Sequence, residues 1–371
     1  MLPLVAAKAI WRDKGRTIGV VLTVALIVIL IALPSAIKKS AINNPLNYIQ
    51  RAGVDVFVLS AGLNDYASSS IVSQRDLDRV RRLPSVSQAQ GTVLSFARVQ
   101  TDAHSQSVVV QSFDPSAGYG GPWQLTAGRT VKANGEIVLD SALAKRLAVG
   151  VSDKVQLGSV RYRVVGLSAG TSSIGKQLVF ITTADGTSDL TQKGVFTHIL
   201  VKTSNPELAV HQISELNLSA FDRSEFYRLN KAYWSQQIAP TLDLVVLAVV
   251  LPGFLLLMVL FYASIRQRIR ELTIRLAQGV SLGYLWGQEI LMIFTLALVG
   301  LALGLVTARG AVWLANTGSP GLDATVDSGV VWLTTVIVVL AGTLAVRTAP
   351  DGAAREGRRK SVIRSKPDAA K

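Results

Sequence analysis

The sequence contains no cysteine, which excludes disulfide bonds, thiolate metal sites and cysteine nucleophiles. Histidine is scarce as well, and its three positions, His104, His198 and His211, lie far apart along the chain. Zinc sites usually draw on closely spaced ligands, so no metal site is expected. The sequence also lacks a Gly-x-Ser-x-Gly elbow or another catalytic signature. We therefore expect a chain that is not an enzyme and holds no cofactor of its own.

The sequence also lacks a nucleotide-binding motif, although one stretch resembles a P-loop. Gly170 to Lys176 match the first seven positions of a P-loop, but the eighth is Gln177, which cannot supply the hydroxyl that binds Mg²⁺. The next residues, 178–182, have the pattern of a strand rather than the helix that a P-loop requires. We interpret the stretch as a surface loop, so any ATPase must be a separate polypeptide.

Long runs without charge are what the sequence offers instead. Hydrophobic residues make up 49% of the chain, and the mean hydropathy is +0.38. About 20 apolar residues suffice to cross ~30 Å of hydrocarbon as a helix. Four largely apolar runs are within the range of a spanning helix, at 17–39, 238–265, 286–308 and 329–346. They predict a membrane protein with four transmembrane α-helices, the first an uncleaved anchor because its run is longer than that of a signal peptide.

The placement of basic residues predicts the orientation. They concentrate in three segments: an amphipathic N-terminal segment, 1–16, a loop between the second and third spans, 266–285, and a basic tail, 347–371. The positive-inside rule makes all three cytoplasmic. The short loop 309–328 and the long segment 40–237 are then external. The formal net charge of +14 is therefore a signal of topology, and nucleic acid is not expected as a partner.

The external segment 40–237 has the pattern of an α+β domain, inserted between helices one and two. β-branched runs with period-two alternation predict strands at 54–59, 93–99, 107–113, 160–167, 177–181 and 197–201. Helices are predicted at 74–82, 141–147 and 206–216. Ser73 with Asp76 forms a capping box for the first of these helices, and Asn205 before Pro206 caps the last.

The cytoplasmic loop carries alternating arginines and then a short apolar stretch that ends at a glycine. One interpretation is a plain stop signal made of positive charge. The other is a short amphipathic helix that docks into a cytoplasmic partner, with the Arg cluster held at the lipid headgroups. The residues that would carry such coupling are Arg268, Arg270, Glu271, Arg275, Ala277 and Gly279.

A few residues near the second and third spans stand out. Tyr227, Tyr233, Trp234 and Asp243 lie around the outer end of the second span and are candidate substrate contacts. The alternatives are an ordinary aromatic belt and a carboxylate that lies in the wet headgroup zone. Gly300 and Gly304 form a Gly-x-x-x-Gly pair, which favours close helix packing in the third span.

Several stretches, in this order, resemble a known family. They are Ala6–Thr17, Trp123–Arg129, Glu136–Leu147, Val151–Val155, Tyr162–Gly166, Arg270–Gly279 and Pro350–Arg355. Together they resemble the permease subunit of ABC transporters of the MacB/FtsX type, over essentially the whole chain. Two positions of the coupling segment depart from the family pattern, Thr273 and Leu276. The segment Tyr48–Ser60 is similar to HrtB-like permeases, which export haem, and DevC-like permeases, which export glycolipid.

The resemblance implies a permease of an ATP-driven exporter in the cell (inner or cytoplasmic) membrane. ATP and Mg would bind a partner ABC-type ATP-binding subunit, a second permease copy would complete a dimer, and the substrate would be haem or a similar amphipathic molecule in contact with membrane lipids. The alternative that the resemblance implies is an FtsX-like protein that regulates a cell-wall enzyme and transports nothing. A third is a membrane-anchored binding module without an ATPase.

Overall fold

The computed structural model describes residues 14–173, 176–266, 274, 278–279, 281–318 and 324–344. The chain divides into two compact units. A helical unit comprises Met1–Ile37, Leu242–Leu314 and Thr325–Lys371, and an α+β unit comprises Lys38–Thr241 and Ala315–Ala324. The insertion of an external domain between the first two membrane spans remains a prediction.

The apolar helices are α1 (Lys14–Asn43), α7 (Arg223–Arg266), α8 (Leu282–Gly318) and α9 (Ser328–Leu344). Among the described residues, three segments are long and apolar enough to cross a membrane: Thr17–Arg51, Arg223–Ala263 and Ile290–Thr317. The fourth predicted span corresponds to the shorter helix α9, and its last residues, 345–346, lie outside the described part. Four spans therefore remain a prediction.

Two helices differ in length from their predicted spans. Helix α7 begins at Arg223, well before the predicted start of the second span at 238, so its first turns belong to the α+β unit. Helix α8 continues to Gly318, through the first part of the predicted loop 309–328. The run 311–315, Ala-Val-Trp-Leu-Ala, contains no helix breaker, which explains the extension. A charged residue can mark the end of a membrane span, but the helix continues until a helix-breaking or capping residue ends it.

The helical unit packs around one apolar cluster to which all four helices contribute. Its buried members are Val20, Val24, Ile27, Val28 and Ile31 of α1, Leu257 and Phe261 of α7, Met292, Ile293, Leu296 and Ala297 of α8, and Ile337, Val338 and Ala341 of α9. The predicted close packing at Gly300 and Gly304 is confirmed. A Cβ at either glycine would lie 2.6 Å from the Cβ of Val24 or Val28, so α1 and α8 approach as closely as glycine permits.

The α+β unit contains an antiparallel four-stranded sheet in the order β14-β1-β13-β3. The strands are β14 (Leu218–Asp222), β1 (Val56–Ser60), β13 (His198–Lys202) and β3 (Gln88–Thr92), and helices α3 (Gln74–Arg81) and α6 (Pro206–Ser214) pack on it. A small β2–β12 pair, Val72–Ser73 with Val195–Phe196, lies beside α3. Upstream, a 3₁₀ turn at Asn44–Leu46 leads into α2 (Asn47–Arg51).

Six strands of the second sheet close into a barrel. They are β4 (Leu94–Gln100), β5 (Ser105–Phe113), β7 (Glu136–Asp140), β8 (Lys154–Leu157), β9 (Val160–Ser168) and β11 (Lys176–Thr182). The order is β11-β5-β4-β8-β9-β7, and β7 pairs again with β11, which completes the ring. Strands β6 (Leu125–Gly128) and β10 (Ser172–Ser173) extend it, and helices α4 (Ser141–Leu147) and α5 (Thr183–Asp189) follow β7 and β11.

The barrel interior is filled by alternate side chains from all six strands, as strand geometry requires. These include Val99, Val108, Val110, Ile137, Leu139, Val155, Leu157, Tyr162, Val164, Val179 and Ile181. Leu143, Ala144 and Leu147 of α4 join the same cluster. The side chains that alternate with these along each strand therefore face outward, and part of that outer surface is exposed.

The predicted strands and helices of this unit are confirmed to within one or two residues at each end. The capping box of Ser73 and Asp76 is present, and the side chain of Asn205 accepts a hydrogen bond from the amide of Leu208. The P-loop-like stretch leads directly into strand β11 at Lys176, which confirms that no P-loop helix follows it. Residues 174 and 175 of that stretch lie outside the described residues.

Candidate functional site

The first turns of α7, the helix that continues into the second apolar segment, lie in the α+β unit. Asp222, the last residue of β14, caps the helix: its Oδ1 accepts hydrogen bonds from the amides of Ser224 (2.7 Å) and Glu225 (3.0 Å). Phe226 follows in the first turn and is fully buried. Its ring stacks on Phe57 of β1, with centroids 4.8 Å apart, and on Phe221, at 5.8 Å. The helix is thus fixed against the four-stranded sheet by aromatic packing.

One turn further on, Asn230 is fully buried and makes three hydrogen bonds. Its Oδ1 accepts from the amide of Tyr66 at 2.7 Å. Its Nδ2 donates to the carbonyl oxygens of Phe226 at 2.8 Å and Asn64 at 3.3 Å. A buried amide that is satisfied in this way ties the segment around Tyr66 to α7, because breaking either partnership would leave a polar group without water.

Tyr66 extends this connection to the barrel and to the segment that follows α1. Its hydroxyl donates to Oε1 of Gln111 in β5 at 2.6 Å. Its ring stacks on Tyr48 of α2 at 5.5 Å, and the Tyr48 hydroxyl donates to the carbonyl oxygen of Gly120 at 2.8 Å. Burial raises the pKa of Tyr66 well above the ordinary value, so its hydroxyl stays protonated. We call Tyr48, Tyr66, Gln111, Phe226 and Asn230 the root network.

His198 lies beside the root network on β13. Its ring is 5.3 Å from that of Tyr66, and its Nδ1 is 2.9 Å from the Thr197 hydroxyl. Its Nε2 is buried without a hydrogen-bond partner among the described residues. Burial lowers the pKa of His198 to about 4, so the ring is neutral at ordinary pH. Protonation would place a charge in the core of the unit.

The predicted substrate contacts occupy different environments on α7. Tyr227 and Trp234 are half-buried and pack against the core of the α+β unit, and Lys231 lies over the Tyr227 ring at 5.9 Å. Tyr233 is 40% exposed and meets Trp234 edge to face, with centroids 5.6 Å apart. Asp243 is exposed and belongs to the helical unit. Tyr233 is therefore the ring of the three that is most available to a ligand.

Most of the predicted coupling residues, Arg268, Arg270, Glu271, Arg275 and Ala277, lie outside the described residues. Two neighbours of the segment are described. The amide of Gln278 donates to the carbonyl oxygen of Ile274 at 3.2 Å, which is a helical hydrogen bond. Gly279 follows with φ of +88°, the left-handed conformation that ends helices at glycine. The positive φ of Gly279 agrees with an end of the stretch at this glycine, and the short amphipathic helix itself stays a prediction because most of its residues lie outside the described part.

The α+β unit also contains a cleft of about 360 Å³ between α3 and the barrel. Several polar groups that line it are already satisfied. Nε2 of Gln90 donates to the Tyr119 carbonyl oxygen at 2.8 Å, and Oε1 accepts from the amide of Asp114 at 2.6 Å. The hydroxyl of Thr183 donates to the carbonyl oxygen of Gly91 at 3.1 Å. We interpret the cleft as a seam between the sheet and the barrel.

The root network was missed by sequence reasoning. Asn230, Tyr66 and Gln111 come from three distant segments, and none lies in a motif. Among the described residues, no group of three or more His, Cys, Asp or Glu side chains is arranged to hold a metal ion. The site that the structure does build is therefore an anchor between a helix and a domain.

Comparisons with known proteins bear on both units. Residues 15–216 match the family model of the MacB-like periplasmic core domain, and residues 244–349 match that of the FtsX-like permease C-terminal region. Three curated proteins, each named an uncharacterized ABC transporter permease, come from Mycobacterium bovis and two strains of Mycobacterium tuberculosis. They are 25% identical to this chain over 188 residues, which is 50% of the chain and 51% of each relative. The match thus spans about half the length of these relatives.

Two solved structures are similar to part of this chain. The periplasmic region of MacB from Actinobacillus actinomycetemcomitans has a TM-score of 0.40 and 15% identity, over 49% of this chain and 94% of that one. The extracellular domain of the noncanonic ABC-type transporter YknZ from Gram-positive bacteria has a TM-score of 0.36 and 9% identity, over 45% of this chain and 98% of that one.

Proposed function

The chain belongs to the MacB/FtsX family of ABC transporter permeases, and from that membership we propose that it is the permease subunit of an ATP-driven exporter. It is a multi-pass membrane protein. In the proposed assembly a separate ATP-binding subunit supplies ATP hydrolysis with Mg, and a second copy of this chain completes the translocating dimer. Both termini and the loop 266–285 lie in the cytoplasm, and the chain resides in the cell membrane.

The observation that carries this proposal is the continuity of α7. One helix, Arg223–Arg266, begins in the core of the α+β unit at Phe226 and Asn230 and runs on through an apolar segment long enough to span a membrane. Nucleotide-driven movement at the cytoplasmic end of α7 would therefore move the external domain through the root network.

We propose an amphipathic, membrane-partitioning substrate, with haem as the first candidate. The support is the resemblance of Tyr48–Ser60 to haem- and glycolipid-exporting permeases, and the aromatic side chains at the start of α7. Tyr227, Tyr233, Trp234 and Asp243 are the proposed contacts. Tyr233 offers an exposed phenol, and tyrosine oxygen is a known axial ligand of haem iron.

Titration of the purified complex with haemin tests the substrate. We expect a saturable change in the Soret band together with stimulation of ATP hydrolysis. Tyr233→Ala should weaken both, whereas Tyr284→Ala, which removes an equally exposed tyrosine from α8, should leave the Soret change intact. A complex that shows no saturable Soret change and no stimulation is not a haem exporter. Export of another amphipathic molecule in proteoliposomes would then keep the permease assignment and replace the substrate.

A further inference from the structure

The outer surface of the barrel gathers positive charge on one face. Arg98 of β4, Lys154 of β8, and Arg161 and Arg163 of β9 all lie exposed there, and Lys176 of β11 is half-exposed. Phe96, two residues before Arg98 on the same side of β4, is 51% exposed, with the Lys176 Nζ 5.1 Å from its ring centroid. We call these six residues the basic barrel face.

Strand register places these side chains side by side rather than scattering them. Lys154 is directly opposite Arg163, and Gln156 is directly opposite both Arg161 and Gln100. Directly opposed residues have Cβ atoms about 5 Å apart, and residues i and i+2 on one strand are about 7 Å apart. Three cations, Lys154, Arg161 and Arg163, therefore share one small area of sheet.

Neighbouring acidic groups do not neutralise this face. Glu136 is opposite Arg163 on β7, but its carboxylate already accepts hydrogen bonds from the Arg129 guanidinium and from the amides of Lys132 (2.9 Å) and Ala133 (3.3 Å). Asp153 adjoins Lys154, but its Oδ2 accepts from the amide of Gly150 at 2.7 Å. Among the described residues, no carboxylate lies within 4.0 Å of the charged nitrogens of Arg98, Lys154, Arg161 or Arg163.

Such an arrangement costs stability, which argues that it serves binding. Like charges directly opposite each other on a sheet repel, and a surface that only confers solubility mixes both signs. Three of the five cations are arginines, and arginine and exposed aromatic residues are enriched among the residues that dominate protein–protein binding energy. The barrel strands beneath fix the backbone positions from which these side chains project.

We propose that the basic barrel face is the docking surface for an acidic face of a second protein. An apolar pocket of that protein receives Phe96, and its carboxylates lie against Arg98, Arg161 and Arg163. Arginine suits this role because its planar guanidinium pairs with a carboxylate through two parallel hydrogen bonds. This inference is independent of the transported substrate, and it holds equally for an exporter and for a protein that only transmits movement.

Photo-crosslinking in cells tests the proposal with the full chain. p-Benzoylphenylalanine in place of Phe96 should yield an adduct with a protein, whereas the same probe in place of Leu208, which is 46% exposed on α6, should not. The double variant R161E/R163E should abolish the adduct at position 96. The variant R75E/K193E, which makes the same charge change on an exposed surface elsewhere in the unit, should leave it intact.

A binding measurement gives the electrostatic part separately. A fluorescent octaglutamate peptide should bind the detergent-purified full chain, at least tenfold more weakly at 300 mM than at 30 mM salt, because screening shortens the reach of exposed charges. R161E/R163E should weaken binding at least tenfold, and R75E/K193E should not.

Each of four results overturns the proposal. They are the absence of a protein adduct at position 96, an adduct that survives R161E/R163E, adducts with lipid or polysaccharide only, and equal peptide binding by both double variants.

Discussion

The side-chain oxygen of Asn230 accepts a 2.7 Å hydrogen bond from the backbone amide of Tyr66. This single contact joins the helix that leads into the second apolar segment to a loop that lies far earlier in the chain. Because Tyr66 in turn bonds to Gln111 of the barrel and stacks on Tyr48, the contact is the point where four parts of the α+β unit meet.

Replacing Asn230 by leucine should therefore destabilise the α+β unit. The change keeps the side-chain volume similar but leaves the buried Tyr66 amide without a partner, which costs about 1–3 kcal/mol. The expected result is a lower melting temperature of the purified chain. Gln236→Leu, on an exposed position of the same helix, is the matched control and should have little effect. Equal melting temperatures for the two variants would show that the root network does not hold α7.

The same substitution should uncouple movement. If α7 transmits displacement to the domain, Asn230→Leu should reduce substrate-stimulated ATP hydrolysis by the assembled complex more than it reduces basal hydrolysis. The measurement is the ratio of the two rates at a temperature where the variant remains folded. A ratio equal to that of the unaltered chain would mean that the anchor at Asn230 is structural only.

The close approach of α1 and α8 leads to a further prediction. Gly300→Ala places a methyl group 2.6 Å from the Cβ of Val24, and such overpacking costs about 1–3 kcal/mol. Gly310→Ala, at a position on the same helix with nothing within 4 Å, should be neutral or slightly stabilising. Thermal unfolding in detergent compares them. Equal stability of the two variants would argue against the packing described.

A further prediction concerns the effect of acidic pH on stability. His198 has a folded pKa of about 4 against an ordinary value of 6.5, so the unfolded chain binds a proton over this interval and the folded chain does not. The contribution of His198 to the free energy of unfolding is complete above pH 6.5 and falls by up to about 3 kcal/mol as the pH drops to 4. Burial raises the pKa of Asp65 and Asp185, which act in the opposite sense, so only a comparison of variants isolates the histidine.

That comparison is His198→Phe against His104→Phe, since His104 is exposed. Melting temperatures at pH 7.5 and pH 4.5 should draw closer together in His198→Phe and should differ in His104→Phe as they do in the unaltered chain. If both variants keep the full difference, the buried ring is not the source of the acid sensitivity.

Much of the α+β fold could be predicted because its elements carry local signals. Alternation and β-branched residues predict strand β9 at 160–167, and it is observed at Val160–Ser168. Asn205 and Pro206 predict the start of helix α6, and the cap is present. The closure of the barrel could not be predicted, because β7 pairs with two strands that are distant in sequence and no local pattern encodes such pairing.

The limits are similar at the candidate site. Tyr227 and Trp234 stand out in the sequence as aromatics near a predicted span, but both are half-buried against the domain core. Asn230 gives no signal at all, since a single asparagine in a helix is usually exposed. Only the packing of β1, the loop at Tyr66 and α7 around it turns this residue into an anchor.

The central claim is that this chain works as the permease of an ABC transporter, and its partnership with an ATP-binding subunit tests it most directly. The tagged full-length chain, purified in mild detergent from its own host, should retain an ATP-binding-cassette protein and hydrolyse ATP. The double variant R270A/E271A in the proposed coupling loop should lose both, whereas R75A on the α+β unit should lose neither. A chain that purifies without any ATP-binding-cassette protein and shows no ATP hydrolysis would contradict the account.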